Sequence, residues 1–178
     1  IYIKYQNFIK IMSKINWVYH ENYDIPLKLN HRFTSSKFSD LFYELKKTVL
    51  YKNAIINQPK KANIIDLSIS HSVDYINKIK NGLLNYKEER KLGLTWSKRL
   101  SERSFLAVNG TLLASKLAIS NGIGCHLGGG THHSHYDYGS GFCVFNDLAY
   151  SSLKLIESKI VKKILIFDCD VHQGDGTA

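Results

Sequence analysis

The residues best suited to chemistry form two short clusters, each placed directly after a predicted β-strand. One is the run GGGTHH over residues 128–133, and the other is DCDVHQGDG over residues 168–176. Side chains alternate faces in an extended chain, so Asp168, Asp170 and His172 are expected to point to one side. Two carboxylates and an imidazole that converge in this way repel one another and stay poorly solvated without a cation. They suit a catalytic Zn²⁺ or a similar divalent metal.

The adjacent histidines of the first cluster cannot form a metal pair on a helix, because helical ligands need a spacing of three or four residues. In a glycine-rich turn, however, His132 and His133 can face one cleft. Each then needs a carboxylate on its far nitrogen to set its tautomer, and Asp168 and Asp175 are the spare carboxylates. A metal ion with two carboxylate-backed histidines is suited to hydrolysis, in which the metal activates water and a histidine moves protons.

The elements around these clusters predict an α/β fold. The continuous apolar segment 163–168 is typical of a central parallel strand covered on both faces, and residues 123–127 are interpreted as a short buried strand. A first strand is expected to end at Val18-Tyr19, and residues 64–67 are expected to be a short strand or extended segment. Alternating helices and such strands place a site at the carboxyl ends of the strands.

Apolar residues at helical spacing predict four helices. They are expected over residues 39–50, 72–80, 102–120 and 146–158. Residues 83–100 have weak periodicity and many charges, which indicates mostly loop. The side chains expected to face the core are Leu41, Phe42, Leu45, Val49, Val73, Ile76, Ile79, Phe105, Leu106, Leu112, Leu113, Leu117, Leu148, Leu155 and Ile156.

Length and composition are those of one globular domain. The chain has 178 residues, 44% of them hydrophobic, and no apolar run approaches the roughly 18 residues that a membrane span needs. Its three cysteines include no CxxC pair. That usage argues against a disulfide framework or a thiolate zinc site and predicts a reducing, cytoplasmic setting.

The net charge of +9 comes from 24 lysines and arginines against 15 acidic residues. The lysines are spread along the chain, as at Lys46-Lys47 and Lys162-Lys163, whereas a nucleic-acid binder concentrates its cations on one face. The pattern therefore indicates a solvated, lysine-rich surface. No direct nucleic-acid binding and no membrane partner are expected.

Three motifs, GGGTHH, YGSGFCVFND and DCDVHQGDGTA, occur in this order between Gly128 and Ala178. In combination they closely resemble the zinc-dependent histone deacetylase family of the arginase–deacetylase superfamily, nearest to its bacterial and class IV-like branch. Weaker similarity extends upstream, so the resemblance covers residues 12–178. It implies a three-layer α/β/α sandwich with a mostly parallel sheet, truncated here to its N-terminal part. Residues 1–11 are interpreted as an N-terminal tail or as sequence upstream of the true start.

Carried over position by position, the resemblance also implies the roles of individual residues. Asp170 and His172 would be ligands of Zn²⁺, with Fe²⁺ as the alternative metal, and K⁺ would lie near Asp168. The catalytic residues would be two histidine–carboxylate pairs, His132 with Asp168 and His133 with Asp175. In that scheme His133 is the general base. The third metal ligand of the family, an Asp, and its catalytic Tyr would fall after Ala178, so residues 1–178 alone are expected to be inactive.

The resemblance further implies how the substrate is bound. Three residues are expected to contact it, namely Gly130, Gly141 and Phe142. Gly141 and Phe142 would line a narrow tunnel for the stem of an acyl-lysine. Lys37 falls where many relatives carry an Arg near the product-release channel. Asp74 and Glu88 are candidates for an acidic residue at the tunnel rim, with plain surface charge as the alternative interpretation.

The leading functional hypothesis is zinc-dependent hydrolysis of the acetyl amide of Nε-acetyl-lysine in proteins. The alternatives are an acetylpolyamine deacetylase or an acetoin-utilisation-type deacetylase of the same fold, acting on a small acetylated amine, and an inactive fragment or non-catalytic binding relative. The net charge of +9 disfavours a cationic polyamine substrate. The order DxDxH, rather than DxHxD, favours one metal ion over two.

The remaining histidines and the central cysteine are expected to be structural. His126 is interpreted as a satisfied core residue or as a residue behind the site. Four others, His20, His31, His71 and His135, are expected to form hydrogen bonds at the surface or in loops. Cys143 is expected to be a small buried thiol.

Overall fold

A computed structural model describes residues 14–34 and 36–178 of the chain. The tail predicted over residues 1–11 lies outside these described residues. Three short parallel strands form the sheet in the order β2–β1–β3. Their bounds are β1 (Ile15–Val18), β2 (Ala54–Asn57) and β3 (Gly124–His126). In the register of the sheet, Asn16 pairs with Ile55 on one side and with Gly124 on the other.

Seven α-helices accompany the sheet in the part of the chain that the structure describes, together with one 3₁₀ turn at Glu21–Tyr23. The helices are α1 (Lys37–Lys46), α2 (Val49–Lys52), α3 (Ile64–Leu67), α4 (Val73–Asn81), α5 (Tyr86–Leu92), α6 (Lys98–Asn121) and α7 (Asp147–Glu157). This α/β architecture with a parallel sheet confirms the predicted fold class. None of the described helices is both long enough and apolar enough to cross a membrane.

Helix α6 organises the core, because it contacts β1, β3 and α7. Its N-terminus is capped by Ser97, whose hydroxyl accepts the backbone N–H of Leu100. Phe105, Leu106 and Leu112 are each no more than 7% exposed, as the periodicity predicts. Phe105 and Leu112 pack with apolar residues of α4, of α7 and of the segment before α7, whereas Leu106 packs in a second cluster with Tyr19, Tyr23 and Phe38. Burial of such side chains stabilises the fold by about 1.5–3 kcal/mol each.

The predicted central strand over residues 163–168 is not formed. The segment has no regular secondary structure and pairs with no strand among the described residues, and Leu165 and Phe167 are 90% and 84% exposed. Its apolar run is typical of a covered strand, but a strand also needs a hydrogen-bonded neighbour. Here the segment lies beside α6 and α7 along an open apolar cavity. The predicted strand over 123–127 is present as β3, half-buried rather than buried.

Several short helices and strands differ from the predictions. For two of the helices the reason is a capping side chain that fixes where the helix begins. Residues 64–67 form α3 rather than an extended segment, since the Asn63 side chain accepts the N–H of Asp66. Asn85 and Glu88 form a capping box that starts α5 inside the predicted loop. The predicted helix over 39–50 is divided into α1 and α2. Strand β2 was not predicted.

The helices bury narrower faces than their apolar spacing suggests. Val73 and Ile156, expected to be inward, are 52% and 44% exposed, and Leu41 and Val49 on the first predicted helix are 44% and 73% exposed. Short surface helices that contact few neighbours cover only one stripe of side chains. In α4 that stripe includes Ile76, whose side chain is fully buried.

Candidate active site

Two histidine–carboxylate pairs form the centre of the site. Nδ1 of His132 lies 2.6 Å from Oδ2 of Asp168, and Nδ1 of His133 lies 2.8 Å from Oδ1 of Asp175. The two imidazole centroids are 4.2 Å apart. His132 is buried, whereas the His133 side chain is 19% exposed. Because a carboxylate engages Nδ1 of each ring, the orientation of both rings is fixed and Nε2 is left to meet other groups.

A buried carboxylate holds the loop that carries these histidines. Asp147, the first residue of α7, accepts hydrogen bonds from the backbone N–H of Gly130 (3.0 Å) and of Thr131 (2.7 Å). The hydroxyl groups of Thr131 (2.6 Å) and Thr111 also donate to it. The N-terminal end of a helix dipole favours an anion at this position. Gly130, predicted to contact substrate, is therefore fixed through its backbone.

The second cluster folds back on itself through its own carboxylates. The backbone N–H of Asp170 donates to Oδ1 of Asp168 (2.9 Å), and the backbone N–H of His172 donates to Oδ1 of Asp170 (2.7 Å). Nδ1 of His172 lies 2.9 Å from the same oxygen of Asp170, and Nε2 of His132 lies 4.0 Å from it. The structure thus brings the predicted metal ligands beside the histidine pairs.

Hydrogen bonds keep the carboxylates of the second cluster ionised. The side chain of His132 lowers the pKa of Asp168, and the backbone N–H of His172 lowers the pKa of Asp170. Both groups are therefore anionic at neutral pH. In this form they can orient an imidazole or ligate a cation.

Asp175 serves two imidazoles rather than one. Its Oδ1 meets His133, and its Oδ2 lies 3.1 Å from Nε2 of His135, whose ring stacks on Tyr138 with centroids 4.5 Å apart. Hydrogen bonds from His133 and then from His135 lower the pKa of Asp175 to about 2. The sequence predicted His135 only as a hydrogen-bonding residue at the surface or in a loop. Its contact with Asp175 could not be predicted, because a single histidine close to a histidine pair has no motif of its own.

The site opens on a cavity of about 330 Å³. Its polar wall consists of His132, His133, Asp170 and His172. The other residues that line it are Phe33, Lys37, Phe38, Arg103, Gly129, Gly130, Thr131, Gly141, Phe142 and Cys143. All three residues predicted to contact substrate therefore lie at this cavity.

A tight turn forms one wall of the cavity. Two backbone hydrogen bonds of 3.2 and 2.7 Å join Ser140 and Cys143, and between them Gly141 and Phe142 have φ of +52° and +66°. Positive φ at both central residues is typical of a type I′ turn, and for an aromatic residue it is a strained conformation. A Cβ at position 141 would lie 2.6 Å from Cδ2 of His133, so only glycine permits this close approach.

Two basic side chains also line the cavity. Arg103 is 3% exposed, its Nη2 lies 3.5 Å from the carbonyl O of Gly128, and its Nε has no hydrogen-bond partner within the described ranges. Nζ of Lys37 lies 4.5 Å and 5.0 Å from the ring centroids of Phe33 and Phe38. Sequence reasoning missed Arg103, because a charge inside a long amphipathic helix normally indicates its solvated face.

The remaining candidate side chains are structural, with one change of location. Nε2 of His126 lies 2.7 Å from the Tyr23 hydroxyl and its Nδ1 lies 2.7 Å from Oγ1 of Thr111, a satisfied arrangement in line with the prediction. His71 forms hydrogen bonds from a loop, which is one of the two predicted alternatives, and its side chain is fully buried rather than at the surface. Cys143 is buried as expected, and burial raises the pKa of its thiol to about 11.

The donor chemistry fits part of a zinc site. Asp170 and His172 offer a carboxylate and an imidazole at the cavity, and both are ligand types that Zn²⁺ accepts. Within residues 14–34 and 36–178, no group of three or more His, Cys, Asp or Glu side chains is arranged to hold a metal ion. Since catalytic zinc normally takes three protein ligands, these two residues would supply part of the set.

Comparison with known proteins gives the family. The model of the histone deacetylase domain matches residues 31–178. The chain belongs to the histone deacetylase family. An uncharacterized protein of Picosynechococcus sp. is 40% identical over 161 residues, covering 90% of this chain and 54% of that protein. The acetoin utilization protein AcuC of Staphylococcus aureus is 36% identical over 132 residues, covering 68% and 34%.

Two further proteins extend the comparison of this histone deacetylase-family chain. Histone deacetylase 2 of Arabidopsis thaliana is 29% identical over 182 residues, covering 93% of this chain and 45% of that protein. The crystal structure of the HDA15 HD domain superposes with a TM-score of 0.76 at 17% identity, covering 93% and 49%. The fold is therefore that of the arginase/deacetylase type. The chain spans about a third to a half of the length of these relatives.

Proposed function

We propose that this histone deacetylase-family chain carries catalytic groups of a zinc-dependent hydrolase that removes the acetyl group from Nε of lysine in proteins. One observation carries the proposal: two carboxylate-backed histidines meet a second carboxylate and imidazole at a single cavity. Amide hydrolysis needs a positioned proton carrier beside an activated water, and this arrangement offers both roles.

The proton carrier proposed for the reaction is His133. Because Asp175 holds Nδ1 of its ring, Nε2 is free to take a proton from the water that attacks the acetyl carbonyl. The C–O bond forms, the C–N bond breaks, and the same proton passes to the leaving amine of lysine. His132, which is more buried and is held by Asp168, is proposed to orient the attacking water.

Asp170 and His172 would hold the metal ion of this centre, Zn²⁺ or alternatively Fe²⁺, and K⁺ would lie near Asp168. When bound, the divalent ion polarises the carbonyl and lowers the pKa of water. Gly141 and Phe142 support the proposed substrate, since the glycine leaves room beside His133 and the aromatic ring suits the methylenes of an acyl-lysine stem.

A deacetylase of the acetoin-utilisation type is the second candidate, and the 36% identity to AcuC of Staphylococcus aureus favours it. An acetylpolyamine substrate is less well supported. Arg103 and Lys37 line the cavity and would repel a polycation.

The test is zinc binding and turnover of an acetyl-lysine peptide. It uses residues 1–178 and, beside them, a chimera in which the remainder of the Picosynechococcus relative follows Ala178. The chimera is expected to turn over the peptide. His133→Ala should lower kcat by about 10²–10⁴-fold with zinc content retained, because the base acts in the transition state. His172→Ala should lose zinc.

His20→Ala, a histidine that does not line the cavity, serves as the control and should leave turnover unchanged. Residues 1–178 alone should bind zinc weakly and show no turnover, since the described residues offer two of three ligands. Normal turnover by the His133→Ala chimera would show that the base is misassigned. Turnover of small acetylated amines in preference to the peptide would favour the second candidate.

A further inference from the structure

A second concave surface lies directly beside the cavity. This basic groove encloses about 460 Å³ and is lined by Asn30, His31, Arg32, Arg90, Lys91, Leu92, Gly93, Gly141 and Phe142. Gly141 and Phe142 line both the groove and the cavity, so a single turn separates the two.

The walls of the basic groove are held together by one backbone hydrogen bond and by two hydrogen bonds between the His31 ring and the backbone. The N–H of Phe142 donates to the carbonyl O of Leu92 (2.8 Å), which joins the turn to the end of α5. Nε2 of His31 lies 3.1 Å from the carbonyl O of Gly93, and Nδ1 of the same ring accepts the N–H of Phe33 (3.0 Å). Three separate segments therefore meet in a fixed arrangement rather than as loose loops.

The charge of the basic groove is positive and uncompensated. None of its nine lining residues is acidic, while Arg32, Arg90 and Lys91 are cationic and exposed. No ion pair in the described part of the chain involves any of these three side chains. The Lys91 ammonium lies over the ring of Tyr138, which positions its charge at the groove without neutralising it.

The acidic rim candidates do not reach this region. Nζ of Lys78 lies 3.3 Å from Asp74 and 3.0 Å from Glu88, and Glu88 also accepts the backbone N–H of Asn85 as part of the capping box. Neither carboxylate lines the cavity or the groove. Asp74 and Glu88 therefore form no acidic rim at the cavity, and the groove beside it is basic.

We propose that the basic groove binds an acidic side chain, Asp or Glu, of the same polypeptide whose acetyl-lysine enters the cavity. This inference rests on the proposed function, and it names the substrate class as acetyl-lysine in an acidic sequence. An extended chain advances about 3.3–3.6 Å per residue, so a residue two or three positions from the acetyl-lysine lies about 7–11 Å away. The groove lies on the other side of the single turn formed by Gly141 and Phe142, which lines both the cavity and the groove.

The experiment measures binding of fluorescent peptides to residues 1–178 by anisotropy. Three matched peptides place Glu, Gln or Lys on both sides of one acetyl-lysine. The Glu peptide should bind about two- to five-fold tighter than the Gln peptide, since one exposed ion pair is worth up to about five-fold in affinity. The preference should shrink between about 0.05 M and 0.5 M salt, because exposed charges are screened.

The variant Arg32→Gln with Arg90→Gln and Lys91→Gln should abolish the preference while the affinity for the Gln peptide stays unchanged. Lys52→Gln, which removes an exposed cation at the end of α2, should keep the preference in full. Circular dichroism of each variant verifies its fold. Equal affinity of the wild type for all three peptides would overturn the inference.

A second peptide set separates this inference from the proposed function, because norleucine replaces acetyl-lysine in it. The Glu version should still bind more tightly than the Gln version and depend on Arg32, Arg90 and Lys91, even if acetyl-lysine itself contributes nothing. A double-stranded DNA that binds through the same three side chains, with no flank preference among the peptides, would instead assign the groove to nucleic acid.

Discussion

The imidazole of His71 is hydrogen-bonded on one side to the loop that carries His132, His133 and His135, called the histidine loop here, and on the other side to the start of α7. Its Nδ1 lies 2.9 Å from the carbonyl O of His135, and its Nε2 accepts the backbone N–H of Asn146 (2.9 Å). The side chain is fully buried, and burial lowers its pKa to about 4. The neutral form, with its proton on Nδ1, is therefore the form that the fold requires.

This burial predicts a loss of stability in mild acid. The unfolded chain binds a proton at His71 below about pH 6.5, whereas the folded chain does so only near pH 4, so stability falls as the pH falls through this window. For one such histidine the loss between pH 7 and pH 5 is about 2 kcal/mol. Urea unfolding of the wild type and of His71→Gln at both pH values measures it.

The His71→Gln variant should show a smaller loss, because glutamine can keep both hydrogen bonds and does not titrate. Part of the loss should remain, since burial also lowers the pKa of His126 to about 4. An identical pH dependence in both proteins would show that His71 is not the responsible group.

A side chain at position 141 is predicted to reduce stability and, in addition, to disturb the neighbouring His133. Gly141→Ala should cost about 1–2 kcal/mol of unfolding free energy from its positive φ, and it should also displace the ring of His133. Gly122→Ala is the matched control, with φ of +90° and no heavy atom within 4 Å of the added Cβ. The imidazole NMR signals of His133 should shift only in Gly141→Ala.

The residues of the site were predictable from sequence to the extent that they lie inside contiguous motifs. The pairs around His132 and His133 and the neighbouring Asp170 and His172 belong to two short runs of polar residues. Asp147 could have been noticed, because an Asn-Asp pair at a helix start is a capping signal. His71 could not, since it lies far from both runs in sequence and its burial depends on packing with distant segments.

At the scale of elements, the N-terminus of α7 is the anchor of the histidine loop. Asp147→Asn should lower the unfolding free energy by about 2–3 kcal/mol, because an amide cannot accept from all the donors that surround the buried carboxylate. Glu157→Gln at the exposed end of the same helix should change it by less than about 0.5 kcal/mol.

Chemical denaturation of both variants provides the measurement. If the two substitutions lower the free energy of unfolding by the same amount, Asp147 does not anchor the histidine loop.

The prediction of helices and strands succeeded where the apolar spacing extended over several helical turns. It failed where a single capping residue determined whether a short helix forms. The 24-residue helix α6 has several turns of apolar spacing and was predicted within a few residues at each end. Helices α3 and α5 are one or two turns long, too short for a period to show, and start at the side chains of Asn63 and Asn85. Segment 163–168 was misjudged because apolar composition predicts burial but does not supply a pairing strand.

At the scale of the whole molecule, exposed apolar side chains are concentrated around residues 163–171. Leu165, Phe167 and Val171 are between 84% and 92% exposed. A contiguous apolar surface of this kind promotes association. Residues 1–178 should therefore bind the dye ANS and self-associate with rising concentration.

Leu165→Gln with Phe167→Gln should reduce both effects and change the unfolding free energy by no more than about 0.5 kcal/mol, since neither side chain packs in the core. Ile65→Gln, which removes an isolated side chain that is 85% exposed, is the control and should alter neither effect. Light scattering and ANS fluorescence report the outcome. If the double variant still self-associates to the same extent, the surface responsible for self-association lies elsewhere.

Strand β1 is the first strand among the described residues, yet it lies between β2 and β3, and β3 follows most of the helices. At a synthesis rate of about 5–20 residues per second, β3 therefore leaves the ribosome roughly 5–20 s after β1. In that interval one edge of β1 has no partner, and Trp17 and Val18, which are buried in the finished fold, lack part of their cover. The nascent chain thus presents an open strand edge, a surface that chaperones can occupy, until residue 126 emerges.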